Sequence, residues 1–131
     1  MSTISDFNQK SCAVTDGEHR IQLELLQALC AATQENCSPA SAGEILQQLV
    51  SYSEAHFMSE ELLMRLKSYD DYEDHVSDHI HMMEVLAEIE SAHASGKSAL
   101  VSGQAESVLE FIKQHIATRD QRFADFMLAE E

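Results

Sequence analysis

The sequence has no tryptophan, one proline, four glycines and only 8 lysines and arginines in 131 residues. With so few backbone breakers, long helices are permitted and a turn-rich all-β architecture is disfavoured. The shortage of basic residues against 23 acidic ones leaves a net charge of -15. Such a field repels phosphate backbones and anionic lipid head groups, so neither nucleic acid nor a membrane is expected as a partner. No apolar run approaches the roughly 18 residues of a membrane span, and the N-terminus lacks the basic patch and apolar stretch of a secretory signal. The three cysteines, Cys12, Cys30 and Cys37, form no Cys-x-x-Cys pair. They are predicted to be free thiols in a reducing compartment, with Cys30 in the core. These absences predict one soluble, cytoplasmic globular domain.

Histidine, in contrast, is plentiful: there are seven. Residues 1–15 are rich in Ser and Thr with scattered Ile4, Phe7 and Val14 and no sustained period, which predicts an N-terminal arm against a domain spanning 16–131. From Asp16, a plausible N-cap, His19, Leu23, Leu26 and Cys30 recur at helical spacing to about Asn36. Cys37-Ser38-Pro39 reads as a turn with Pro near the first position of a second helix. That helix carries the stripe Ile45, Leu49, Tyr52, His56, Glu60 and Leu63, and ends near Lys67. After Ser68-Tyr69-Asp70-Asp71, a third helix carries Tyr72, His75, His79, Met82, Leu86 and Ile89, closing at Ser95-Gly96. A fourth runs from about Gly103 to Leu128 along Leu109, Ile112, Ile116, Phe123 and Met127. Four comparable helices with short links predict an all-α fold, an up-down-up-down antiparallel four-helix bundle.

In such a bundle, positions early in the first and third helices and late in the second and fourth share one end. His19, His56, Glu60, His75, His79, His115 and Asp120 therefore fall at one level. Burying five imidazoles and two carboxylates without a compensating cation costs several kcal/mol or more. Seven ligands exceed the four of tetrahedral zinc; two six-coordinate metals sharing carboxylate bridges fit better, with a pair of irons the natural candidate and zinc or manganese left open. The weak point is His115 and Asp120. Five residues apart, they lie about 140° from one another on an ideal helix and do not share a face.

The runs Asp16-Gly17-Glu18-His19, His56-Phe57-Met58-Ser59-Glu60-Glu61 with Met64, His75-x-x-x-His79 and His115-Ile116-x-x-x-Asp120 resemble the hemerythrin family, specifically bacterial hemerythrins, over about residues 12–128. The resemblance implies a di-iron centre in which His75, His79 and His115 bind one non-haem iron ion and His19 and His56 the other. Glu60, Asp120 and an oxo or hydroxo group would bridge them. It also implies that the second iron keeps an open position for dioxygen, bound reversibly with no substrate turnover. One departure is visible: the family often has Trp four residues before the histidine of the fourth helix, and Phe111 stands there.

Ile112, Ile116, Phe57 and Leu63 are expected to limit access of water. Glu90-x-x-His93 matches half of a ferritin-like signature and is not expected to bind metal; His81 is expected in solvent, and Met58, Met64, Met82 and Met83 as core filler. The final Ala129-Glu130-Glu131 suits a helix continuing into a fused C-terminal signalling domain. The expected role is therefore an oxygen- or redox-sensing input domain of a larger signalling protein, such as a diguanylate cyclase. The alternatives are a free-standing oxygen carrier or store and, from another class, a di-iron oxidase or a peroxide- or nitric-oxide-reducing enzyme.

Overall fold

The computed structural model describes residues 3–34 and 39–129. They form α1 (Thr3–Gln34), α2 (Pro39–Leu66), α3 (Tyr72–Ala94), α4 (Ser98–His115) and α5 (Gln121–Ala129), with α4 and α5 joined by one wide π turn, Ile116–Asp120. The last three pieces act as a single long fourth helix. α1 packs on α2 and α4, and α3 packs on the same two, so antiparallel neighbours close the expected four-helix bundle. No helix among the described residues is long and apolar enough to cross a membrane.

The third helix follows its sequence pattern closely: His75, His79, Met82, Leu86, Ile89 and Ala92 are buried. On α2 the inward line is rotated slightly from the expected one. Leu46, Leu49, Ser53, His56, Phe57, Glu60 and Met64 are buried, while Ile45 and Leu63 pack at its margins. On α1, Gln22 is fully buried and donates to Ser53 Oγ across the α1–α2 interface at 3.0 Å. A buried polar pair leaves no apolar signature in sequence. The fourth helix begins at Ser98, earlier than Gly103, because Val101 and Ala105 already belong to the core.

Two helix ends are built alike. After α3, Gly96 has φ 70°, Gly96 N–H donates to His93 O (3.1 Å) and Lys97 N–H to Ala92 O (3.0 Å), the paired bonds of a Schellman cap. After α2 the same bonds recur, from Ser68 N–H to Arg65 O (3.1 Å) and Tyr69 N–H to Met64 O (3.0 Å). Here Ser68, not glycine, takes the left-handed φ of 52°. The predicted end of the first helix near Asn36, and the Cys37-Ser38 part of the following turn, lie outside the described residues; Pro39 opens α2 as expected.

The segment read as an arm differs from expectation: it is helical from Thr3 and continuous with α1, so Asp16 caps nothing. Its buried position is Asn8, which donates from Nδ2 to Met127 O at 2.8 Å, and Cys12 packs partly buried below it. Ile4, Phe7 and Val14 are exposed. The fully buried position of these turns is polar while Ile4, Phe7 and Val14 face out, against the pattern from which amphipathic helices are recognised.

Candidate metal centre

The seven residues singled out in the sequence converge on one layer of the bundle, and all are buried. His19 comes from α1, His56 and Glu60 from α2, His75 and His79 from α3, His115 from the end of α4 and Asp120 from the π turn. Ligand-type atoms of Glu60, His75, His79, His115 and Asp120 all lie within 4.8 Å of one another, as do those of His19, His56 and Glu60.

The two carboxylates divide the imidazoles between them. Glu60 Oε1 lies 2.6 Å from His75 Nε2 and 3.0 Å from His79 Nε2, while Oε2 faces His19 Nε2 at 3.7 Å and His56 Nε2 at 3.8 Å. Asp120 repeats the division: Oδ1 is 2.8 Å from His75 Nε2 and 3.1 Å from His115 Nε2, and Oδ2 is 2.9 Å from His19 Nε2. Three imidazoles thus sit on one side and two on the other, with one oxygen of each carboxylate turned to each group. The Nε2 atoms of His19, His56, His79 and His115, Glu60 Oε2 and Asp120 Oδ1 are buried without an aligned hydrogen bond. Orphaned acceptors packed around one point fit a pair of cations.

The outward ring nitrogens disclose residues that sequence reasoning missed. His56 Nδ1 is 3.1 Å from Glu18 Oε1, His79 Nδ1 is 2.9 Å from Glu61 Oε2, and His115 Nδ1 is 2.9 Å from Asp78 Oδ2. An ionised carboxylate only accepts, so each Nδ1 carries the proton and donates it, which leaves the Nε2 lone pair turned inward. Each partner adjoins a site residue in the chain: Glu18 beside His19, Glu61 beside Glu60, Asp78 beside His79. A one-residue step is about 100° of helix, so the neighbour of an inward ligand points along the flank, toward the next helix. That adjacency was the available signal.

The π turn removes the geometric objection to His115 and Asp120. Gln121 N–H reaches Ile116 O five residues back, so five residues make roughly one turn here. Both side chains therefore arrive on the same face. The Thr118 hydroxyl donates to Gln114 O at 2.7 Å, an additional donor at the widened step.

Charge follows this packing. Burial alone pushes His19 and His75 toward the neutral form, but the carboxylates of Asp120 and Glu60 outweigh it and raise both to about 9. Burial likewise pushes Glu60 and Asp120 upward, and the surrounding imidazoles more than reverse this. His19, His75 and His79 hold Glu60 well below the usual carboxylate range, and His115, His19 and His75 do so for Asp120.

A cavity of about 40 Å³ adjoins the two-imidazole side, lined by His19, Glu60, Asp120, Ile116, Phe123 and Met127 among others. That exceeds the roughly 10–15 Å³ a single water needs on the same measure. Apolar groups enclose the layer. Phe57 stacks on His79 with ring centroids 4.0 Å apart, and Ile112 is buried in the neighbouring core. Phe111, at the position where the family often has Trp, lies near-parallel to His115 at 6.3 Å. His81 is exposed as expected, with its ring 5.0 Å from that of Phe111. Met64 and Met82 are core, whereas Met58 is exposed, contrary to its expected role. Glu90 and His93 belong to no metal-type cluster among the described residues.

Residues 13–126 match the Hemerythrin HHE cation binding domain. The chain is 30% identical to the Bacteriohemerythrin of Stenotrophomonas maltophilia over 113 residues, covering 86% of this chain and 72% of that protein. It is 25% identical to the Bacteriohemerythrin of Methylococcus capsulatus over 116 residues, covering 87% and 86% respectively. No solved structure gives a significant match. Because the matched region runs from the turns of α1 before His19 to α5 beyond Asp120, and so takes in the whole histidine and carboxylate layer, the chain belongs to the hemerythrin HHE cation binding domain family.

Proposed function

We propose that the protein reversibly binds dioxygen at a pair of non-haem irons. In this reading His75, His79 and His115 would hold one iron, His19 and His56 the other, and Glu60 and Asp120 would be shared by both. The observation that carries it is the division of both carboxylates, one oxygen toward each imidazole group. The cavity beside His19 supports an open position on the two-imidazole side, large enough for a diatomic molecule. When bound, the iron pair supplies the two electrons that reversible dioxygen binding draws on.

The chain's own residues do the rest. Glu18, Glu61 and Asp78 fix the tautomer and orientation of His56, His79 and His115 and make them better donors. Ile116, Phe123 and Met127 give part of the cavity an apolar wall, and Thr15, Asp16 and Gln121 give the rest a polar one. Five imidazoles and two carboxylates give less anionic stabilisation of oxidised iron than a four-carboxylate site, which favours binding over oxidase chemistry.

The test is to load the protein with iron, reduce it without oxygen, admit oxygen and then remove it. A visible absorption band that appears and reverses over repeated cycles supports binding. Steady consumption of oxidant with a reductant present would favour the enzyme reading, and fewer than two irons per chain in fully loaded protein would sink the site.

A further inference from the structure

Arg119 stands inside the π turn, one residue before Asp120. Its Nε–H donates to Asp78 Oδ2 at 3.2 Å, and its Nη1–H donates to Asp71 Oδ2 at 3.2 Å. Asp74 lies 3.9 Å from the same Nη1. The Asp78 oxygen that meets Nε is the one that accepts the proton of His115 Nδ1 at 2.9 Å. Asp71, the residue before α3, is buried to 8% side-chain exposure, and its side chain makes no capping bond to its own helix. Its carboxylate is turned instead to Arg119 and to Arg122, 3.6 Å away. One guanidinium thus grips two carboxylates on the start of α3 from within the only widened turn among the described residues.

Resting on the function proposed above, we infer that Arg119 is a positioning residue: acting through Asp78 it orients His115, and by clamping the wide turn to α3 it holds Asp120 in register. The geometry needs the fork of an arginine. A lysine presents one compact charge and cannot span Asp71 and Asp78 with two directed donors. Glu61 and Glu18, which back His79 and His56, have no cation recorded against them among the ion pairs of the described residues. The His115 side is therefore the one whose supporting carboxylate is itself held in place. The tie matters there because a π turn forgoes regular α-helical bonding, and the two site residues it separates must arrive together.

The test uses cobalt(II) as probe metal on the full chain, with each binding step followed by visible absorption against a competing chelator. Wild type should take up two cobalt ions. Arg119→Met should weaken one of them about tenfold, the lower end of what removing an outer support does to metal affinity, and the other, which shares only Asp120, by less. Arg119→Lys should fall with Met rather than with wild type. The double variant Arg119→Met/Asp78→Asn should lose less than the sum of the two single losses, since part of the arginine's effect runs through that carboxylate. Equal weakening of both metals in step with lost thermal stability, additive losses in the double variant, or no weakening would each overturn the inference.

A second readout needs no metal. Amide hydrogen exchange over 116–121 should quicken in metal-free Arg119→Met while exchange in α2 stays unchanged, and unchanged exchange in the turn overturns the clamp. If wild type itself took up fewer than two cobalt ions, the proposed centre would fail, and the exchange measurement would still decide the clamp.

Discussion

The same four helices build two very different layers. Toward the far end from the site they meet through Leu26, Leu29, Leu46, Leu49, Leu86, Ile89 and Val108, an apolar core that needs no partner beyond itself. One layer on they meet through five imidazoles and two carboxylates, and beyond that a smaller apolar cluster of Met64, Tyr69, Phe123 and Met127 seals the other side. The apolar layer gains stability from burial, whereas the polar layer draws on it and has to be satisfied by protons or by metal. Stability and chemistry are therefore separable along the bundle axis.

The sharpest way to separate them is to cut each layer alone. Glu60→Ala removes the carboxylate shared by both imidazole groups. It should abolish uptake of a coupled metal pair, read by metal analysis and the spectrum of the loaded protein, while helical content by circular dichroism stays near wild type. His56→Ala should chiefly lose one of the two metals. Retention of an intact two-metal spectrum in both variants would contradict the division of ligands. Leu86→Ala, in the apolar layer, should do the reverse. It should cost about 2–5 kcal/mol in denaturant unfolding, with metal stoichiometry unchanged.

A third experiment removes the metal and varies pH. His19 and His75 are raised to about 9 from 6.5, so their contribution to metal-free stability is complete below pH 6.5 and is lost as pH rises through 9. Glu60 and Asp120 are depressed from 4.5 and 3.8, so their contribution is present above those values and is lost as pH falls. The metal-free protein should be most stable between about pH 4.5 and 6.5. Bound metal should flatten the alkaline decline, because the cation then does what the protons did. An alkaline slope identical with and without metal would mean that the polar layer is not where the cation sits. The smallest effect concerns neither layer. Ser68→Gly, at the left-handed cap of α2, should raise stability by roughly 1 kcal/mol, the relief of a Cβ in that conformation.

The apolar layer and the third helix were legible in sequence because burial there follows a strict three-to-four rhythm of large aliphatic residues and histidines. The seven site residues were legible as residue types at one depth. What escaped were features carried by polar groups paired with one another. Gln22 with Ser53 and Asn8 with a backbone carbonyl bury polar side chains without any apolar mark, and the latter hid the first turns of α1. Glu18, Glu61 and Asp78 look like ordinary surface acids until the neighbouring helix is in place. The His115 and Asp120 spacing looked wrong only because an ideal helix was assumed.

That spacing bears on how the fourth helix tolerates changes in length. Its buried positions run Val101, Ala105, Val108, Ile112 and His115, then Asp120, Phe123 and Met127. Every interval is three or four except the five at the π turn, so the chain holds one residue more than its regular turns require and absorbs the surplus locally. Removing Thr118 should let that turn close to ordinary α-helix, with the shifted aspartate still four residues from His115 and Phe123 and Met127 still facing inward. Removing a residue anywhere else along α4 has no such slack to draw on and would swing everything after it by about 100°. In this helix, a deletion is tolerated inside the π turn and ruinous on either side of it.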